Sequence, residues 1–340
     1  MTTARSIRLA SRPKGAASRD NFNLTTETLP DPGEGEILVQ VLWLSLDPYM
    51  RGRMNAGKSY TPPVEVGAVM TAQAVGRVVQ TRHRHFAEGD IVLGSFGWTD
   101  HAISDGREVI KVPEGPPIST ALGVLGMPGF TAWTGLGEIT AAASGETILV
   151  SAATGAVGAM AGQLARLRGL RTIGVAGGAE KCTFATEELG YDICLDHRAH
   201  DAGSLTAALA EAVPDGIDVY FENVGGDTLT AAVSNMNDFG RIALCGMIAW
   251  YDGANVDTAA PLPLIWRNIL TRRLRVRGFI IFDHWADFPA FHAEVAPMVK
   301  DGRIKVREDV TEGLENAPDA FFRMLKGGNL GKTLVKVAEG

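Results

Sequence analysis

The run Val150-Ser151-Ala152-Ala153-Thr154-Gly155-Ala156-Val157-Gly158 is the segment of this chain whose residue types and spacing most plainly call for a chemical partner. It joins an apolar stretch, Thr147 to Val150, to residues 156–168, where Val157, Met160, Ala161, Leu164 and Ala165 recur at helical spacing. Between them stands Ala-x-Gly-x-x-Gly, the dinucleotide fingerprint with Ala153 in the first glycine place. Gly155 lets the backbone approach a pyrophosphate, and Gly158 lets helix and strand pack closely. The helix start offers free N–H groups and a positive dipole end, so Ala153, Thr154, Gly155, Ala156, Val157 and Gly158 are the candidate phosphate contacts. A purely structural strand-to-helix turn is the competing reading.

The choice of dinucleotide turns on the next strand. An NAD site places an acid about 20 residues on, where it bonds the ribose 2′-hydroxyl. Here the strand ends Val175-Ala176-Gly177-Gly178 without a carboxylate, and Lys181 follows on the first turn of a helix. Small residues such as Gly178 leave room for a 2′-phosphate, and a lysine neutralises it. Glu180 is expected to face solvent. A plain surface lysine is the alternative; NADPH is the expected cofactor.

A zinc site is not expected. No cysteine precedes Cys182, and the histidines before it are His83, His85 and His101, the first two in a polar turn without a thiolate partner. Cys182 and Cys194 read as core filling, and Cys245, at a strand end before Gly246, is given no nucleophilic role. Lacking a Lewis acid, hydride transfer is easier to a conjugated double bond, whose developing charge spreads over an enolate that a hydrogen-bond donor can hold.

The bulk composition fits this reading. The 340 residues suffice for two domains, with 46% apolar and 21% charged residues. A net charge of −7 speaks against nucleic-acid or membrane-surface partners. The basic cluster Arg272-Arg273-Leu274-Arg275-Val276-Arg277 alternates with apolar residues and reads as a half-buried strand. There is no apolar run of the roughly 20 residues that a membrane span needs, and no secretory signal is read, so a cytoplasmic location is expected.

Residues up to about 125 read as β-rich, with strands at 37–44, 75–79 and 90–94. Beyond Met127-Pro128-Gly129, short apolar strands alternate with helices: strands at 147–150, 171–176, 193–195, 217–221, 241–245 and 276–281, helices at 156–168 and 179–189. That alternation predicts a doubly wound parallel sheet. From about Lys305 β character resumes, at 333–337. The expected organisation is therefore α/β: a Rossmann NADPH-binding domain, 127–304, inserted in a β-rich, GroES-like catalytic domain, 1–126 and 305–340.

At these residues the chain resembles the zinc-independent medium-chain dehydrogenase/reductases of the leukotriene/prostaglandin reductase branch, and within it the bacterial NADPH-dependent curcumin reductases. The likeness runs almost end to end. It is carried by Asp47-Pro48-Tyr49-Met50-Arg51-Gly52-Arg53-Met54, Gly126-Met127-Pro128-Gly129, the phosphate loop, Gly177-Gly178-Ala179-Glu180-Lys181, Glu222-Asn223-Val224-Gly225-Gly226, Phe279-Ile280-Ile281 and Asn329-Leu330-Gly331-Lys332.

The resemblance implies that Lys181 holds the 2′-phosphate and that Asn223 contacts the ribose or nicotinamide side. His197 stands where the family often has a tyrosine near the adenosine phosphate. Cys245, Gly246, Met247 and the residues up to Tyr251 would pass over the nicotinamide half. Phe279, Ile280 and Ile281 would meet it through backbone groups, and Asn329 would reach in from the C-terminal segment. Tyr49, Tyr60 and Tyr251 would line the substrate cleft.

The expected reaction is hydride delivery to the β-carbon of an enone or enal. The enolate oxygen is then held by Tyr251, Tyr49 or the cofactor's ribose hydroxyl. The competing readings are a turn-capping hydroxyl for Tyr49, a packed loop aromatic for Tyr60 and a surface loop for Tyr251. Met54, Trp250, Phe282 and Trp285 suggest an apolar cleft for large unsaturated carbonyl substrates. A quinone reductase and a protein that binds NADPH without turnover are the other functions considered. A homodimer is expected, paired along an apolar edge strand near Val276 to Phe282.

Overall fold

The computed structural model describes residues 1–57, 59–253 and 262–339. The chain divides into two compact units, Met1–Gly123 with Glu308–Gly340, and Val124–Arg307.

The first unit is built on strands. β1 (Thr2–Leu9) and β2 (Phe22–Leu29) form a two-stranded antiparallel ladder. After them come β3 (Ile37–Ser45), α1 (Tyr49–Arg53), β4 (Ala74–Thr81), β5 (Ile91–Gly94), β6 (His101–Ser104) and β7 (Ile110–Lys111). The long apolar run of β3 is buried along most of its length because it is paired on both sides, to β4 and to β6 and β15.

The second unit opens with α2 (Met127–Thr134). It continues through β8 (Thr147–Ser151), α3 (Ala156–Leu167), β9 (Arg171–Ala176), α4 (Ala179–Glu187), β10 (Ile193–Asp196), α5 (Ala202–Ala212), β11 (Ile217–Glu222), α6 (Gly226–Ser234), β12 (Met236–Leu244), α7 (Leu262–Thr271), β13 (Arg275–Gly278) and α8 (Phe288–Lys300). Its parallel sheet has the order β10-β9-β8-β11-β12-β13. Every residue of β8 is buried, as a central strand covered on both faces requires. This is the doubly wound sheet expected from strand–helix alternation.

The chain then re-enters the first unit with β14 (Glu308–Glu312), α9 (Ala317–Leu325) and β15 (Lys332–Lys336), and the sheet there runs β14-β15-β3-β4-β5-β7. The sequence reading assigned only β character to this stretch. Ala317, Ala320, Phe321 and Met324 are buried at helical spacing instead, after a Pro318 that starts the helix.

Two further expectations are corrected. The last strand of the parallel sheet ends at Gly278, and Ile281 to Asp287 coil into 3₁₀ turns, so Phe279 to Ile281 are not strand. Nor is the basic cluster a half-buried strand. Arg272 turns back onto the Val233 and Met236 carbonyls, Arg273 adopts φ 51° and pairs with Asp238, and all four residues of β13 are exposed because the strand is paired on one side only.

Candidate functional site

In the second unit every candidate cofactor-binding residue lies in a segment that leaves the C-terminal end of a parallel strand. Ala153 to Gly158 follow β8, Gly178 and Lys181 follow β9, His197 follows β10, Asn223 follows β11, Cys245 to Tyr251 follow β12, and Phe279 to Ile281 follow β13. β9 and β10 extend the sheet to one side of β8, and β11 to β13 to the other. The connections therefore part between β8 and β11, the place where open α/β sheets bind ligands.

The phosphate loop is shaped by what cannot fit there. A Cβ on Gly158 would lie 2.1 Å from the Ala152 carbonyl oxygen and 3.0 Å from the Ala153 Cα, so only glycine lets α3 press onto the loop. Ala152 itself takes φ 51°, a strained left-handed turn for a residue with a side chain. Ala153 replaces the first glycine without conflict because it faces Gly174 of β9, where a Cβ would approach its methyl to 2.8 Å. Gly155 caps α3 in extended conformation, leaving the first N–H groups of a 12-residue helix without intrahelical partners.

At the end of β9, Gly178 has φ 107° and donates its N–H to Asp196 Oδ1 at 2.7 Å. Asp196 also accepts the Arg198 N–H at 2.9 Å. Burial raises the Asp196 pKa, but these backbone donors and the neighbouring His197 and Arg198 outweigh it and hold the carboxyl below its usual range. A Cβ on Gly177 would meet His197 Nε2 at 2.8 Å and Arg198 Nε at 3.0 Å. Lys181 and Arg198 both act on His197, whose pKa is lowered first by burial and then by Arg198. Cationic side chains thus gather beside a pair of glycines, an arrangement that suits a phosphate. Glu180 is exposed, as expected. Arg198 is a basic residue that the sequence reading passed over, although its place directly after His197 was the available signal.

At the β8–β11 junction the sequence reading missed a buried network. Asn223 donates its backbone N–H to Ser151 Oγ and its Nδ2 to Ser151 O, each at 2.8 Å. Ser151 Oγ donates to Glu222 Oε1 at 2.9 Å, and the same oxygen takes the N–H groups of Val224 and Gly225 at 2.6 and 3.0 Å. Glu222 is fully buried, and burial pushes its pKa up, with the backbone donors pulling the other way. The buried Tyr220 hydroxyl acts on the same carboxyl and opposes that rise.

The same segment holds the one after β12. The Glu222 carbonyl accepts Cys245 N–H and Gly246 N–H, and the Asn223 carbonyl accepts Ile248 N–H at 3.2 Å. Tyr251 folds back so that its hydroxyl accepts the Met247 N–H at 3.5 Å, beside Gly246. Trp250 covers Gly225, where a Cβ would strike the indole at 2.7 Å. The Cys245 thiol is pushed up to about 12 by burial, which suits the absence of a nucleophilic role.

In the first unit, Tyr49 opens α1 and packs against the unit's core. Burial first, then the nearby Asp47 and Tyr60, push its hydroxyl well above the usual tyrosine range. Tyr60 is 53% exposed. Asp47 is tied into a buried ion pair, with Lys332 Nζ at 2.6 Å and Ser45 donating to its other oxygen. Asn329 donates to Gly331 O at 2.9 Å in the loop before β15.

The expected apolar cleft needs correction. Met54 is fully buried within the first unit's core, and Trp285 stacks on Phe288 at 4.6 Å within an aromatic cluster around Phe130. Met54 fills a core and Trp285 is half-buried against its aromatic neighbours, which a list of bulky residues does not distinguish. Among the described residues no group of three or more His, Cys, Asp or Glu side chains is placed to hold a metal ion.

Comparison with known proteins places these features in context. Residues 5–112 match the family model described as N-terminal domain of oxidoreductase, and residues 156–296 the one described as Zinc-binding dehydrogenase. The NADPH-dependent curcumin reductase of Escherichia coli (strain K12) is 48% identical over 335 residues, covering 97% of this chain and 96% of that protein. Prostaglandin reductase 1 of Mus musculus is 41% identical, covering 99% and 100%. The crystal structure of CurA in complex with NADPH from Vibrio vulnificus superposes with a TM-score of 0.94 at 45% identity, covering 99% of this chain and all of that one (100%).

Proposed function

This chain belongs to the medium-chain dehydrogenase/reductase family, and we propose that it is an NADPH-dependent reductase of the carbon–carbon double bond in α,β-unsaturated ketones and aldehydes. The observation that carries the reading is the near full-length similarity to a curcumin reductase and a prostaglandin reductase, both named for such acceptors, together with the phosphate loop and basic pocket described above. When bound, NADPH supplies a hydride. The α3 N-terminus and Gly155 would hold the pyrophosphate, and Lys181 with His197 the 2′-phosphate. Asn223, held on Ser151, would contact the nicotinamide side, with Cys245 to Met247 and Phe279 to Ile281 as further contacts.

Tyr251 is the proposed donor to the substrate oxygen, with Tyr49 and Tyr60 as further substrate contacts and Asn329 as a cofactor contact from the C-terminal segment. We propose that no metal takes part, since no cysteine precedes Cys182. We also propose residues 1–126 with 305–340 as the catalytic domain and 127–304 as the NADPH-binding domain, a homodimer, and a cytoplasmic location. In support of the last, no helix among the described residues is long and apolar enough to cross a membrane.

The test is NADPH oxidation by the purified protein against aryl and alkyl enones, enals and a quinone, with the product identified. Saturated ketone is the expected product, with turnover insensitive to chelators. Preference for the quinone, an allylic alcohol product or loss of turnover on metal removal would each overturn the reading. Tyr251→Phe should lower kcat by roughly 10²-fold, the typical effect of removing one oxyanion donor.

A further inference from the structure

The two central strands of the parallel sheet part at a side-chain bond. β8 and β11 pair only as far as Val150 with Phe221. One residue further on, Ser151 Oγ donates to Glu222 Oε1 at 2.9 Å, so a hydroxyl and a carboxyl take over where the backbone ladder stops. Glu222 is fully buried at that point. A carboxyl is costly to bury, and a strand that merely had to end could do so on a neutral residue. Neither side chain has a part in the proposed reaction.

The segments after β11 and β12 are gathered around this bond. Glu222 Oε1 also takes the N–H groups of Val224 at 2.6 Å and Gly225 at 3.0 Å, where the chain turns with φ 84° at Gly225. Ser151 Oγ accepts the Asn223 N–H, and the Ser151 carbonyl accepts Asn223 Nδ2, each at 2.8 Å. Asn223 is thereby held by main chain and side chain alike. The Glu222 carbonyl accepts from Cys245 and Gly246, and the Val224 carbonyl accepts from Ala249 at 3.0 Å. One residue thus fixes the segment after β11 with its side chain and the segment after β12 with its backbone. The segments carrying Lys181 and His197 leave the sheet on the other side of β8, where a different carboxyl, Asp196, takes the Gly178 and Arg198 N–H groups.

We infer that Glu222, acting through Ser151, is a positioning residue for the nicotinamide half of NADPH: it sets Asn223 and Cys245 to Met247 against that half, while the adenosine end is held independently. The inference rests on the reductase reading, in which those residues face the nicotinamide, and deepens it by naming what fixes them.

The experiment measures the Kd of NADPH and of 2′,5′-ADP, a probe that carries the adenosine end alone, together with kcat for an enone. Glu222→Ala removes an acceptor shared by three donors, and it should weaken NADPH about tenfold and lower kcat about as much. The Kd of 2′,5′-ADP should stay within about twofold of the wild type, because Asp196 and the phosphate loop are untouched. Glu222→Gln keeps an acceptor oxygen of the same reach and should recover most of the lost affinity, to within about threefold of the wild type. Should Glu222→Ala fail to fold, Ser151→Ala carries the test, with the same split expected between the two ligands.

Equal losses for NADPH and 2′,5′-ADP would overturn the inference, since Glu222 would then hold the sheet as a whole. So would unchanged NADPH affinity and kcat, or a Glu222→Gln variant as weak as Glu222→Ala, in which the acceptor oxygen would not be what holds the segment. A wild-type protein that binds NADPH but reduces no enone refutes the reductase reading and leaves the two affinities to decide the inference.

Discussion

We propose that Lys181 and its neighbours decide which dinucleotide the protein prefers. The lysine stands on the first turn of α4, after two glycines that leave the phosphate side open, and it shares its neighbourhood with His197 and Arg198. A charged donor to a phosphate is worth about 1.5–3 kcal/mol, or roughly a tenfold to hundredfold change in affinity. Lys181→Ala should therefore cut the NADPH:NADH preference in kcat/KM by at least tenfold. An unchanged ratio would show that the phosphate is held elsewhere. The proposal for Lys181 comes from the sequence, because it follows from what is missing, a carboxylate at the end of β9. Ser151 and Glu222 were not legible there. A carboxyl closing an otherwise apolar strand looks like the point where the strand meets solvent, and only the fold turns it inward onto the Val224 and Gly225 N–H groups.

At the scale of elements, the turn from β8 to α3 is where sequence and structure agree most closely, because each glycine there has a steric cause. Gly158→Ala would force a Cβ to within 2.1 Å of the Ala152 carbonyl oxygen, and backbone cannot yield as a side-chain tip can. The expected cost is roughly 2–3 kcal/mol, read as a lower Tm, with weaker NADPH binding as the helix N-terminus backs away from the loop. A variant with wild-type Tm and NADPH affinity would show that the close packing has no such role.

The buried strands β3, β8, β9 and β11 were readable for the same reason: continuous apolar runs covered on both faces leave few other assignments. β13 and α9 were not. The apolar run at 276–281 crosses from exposed strand into a 3₁₀ turn, where tertiary packing of Ile281 overrides β propensity. α9 is short enough that its helical period was lost between two β-rich segments.

At the scale of the whole molecule, β13 is an open edge of the parallel sheet. β13 is bonded to β12 on one side only, and Val276 is 45% exposed. On the preceding helix, Leu262, Trp266 and Leu270 recur every fourth residue and are likewise exposed, forming one apolar stripe. An unpaired edge beside such a stripe invites pairing with another strand, and proteins that stay monomeric blunt it with charge. Arg275 and Arg277 on β13 supply some charge, yet a two-fold axis at the edge would place each copy's strand antiparallel to the other, joining two six-stranded sheets while the α7 stripes cover each other. Sedimentation should then give twice the 36.1 kDa chain mass at micromolar concentration. Val276→Lys combined with Trp266→Glu puts charge on both surfaces and should yield a folded monomer. A wild-type monomer under these conditions, or a charged variant that stays dimeric, would remove β13 and α7 from the interface.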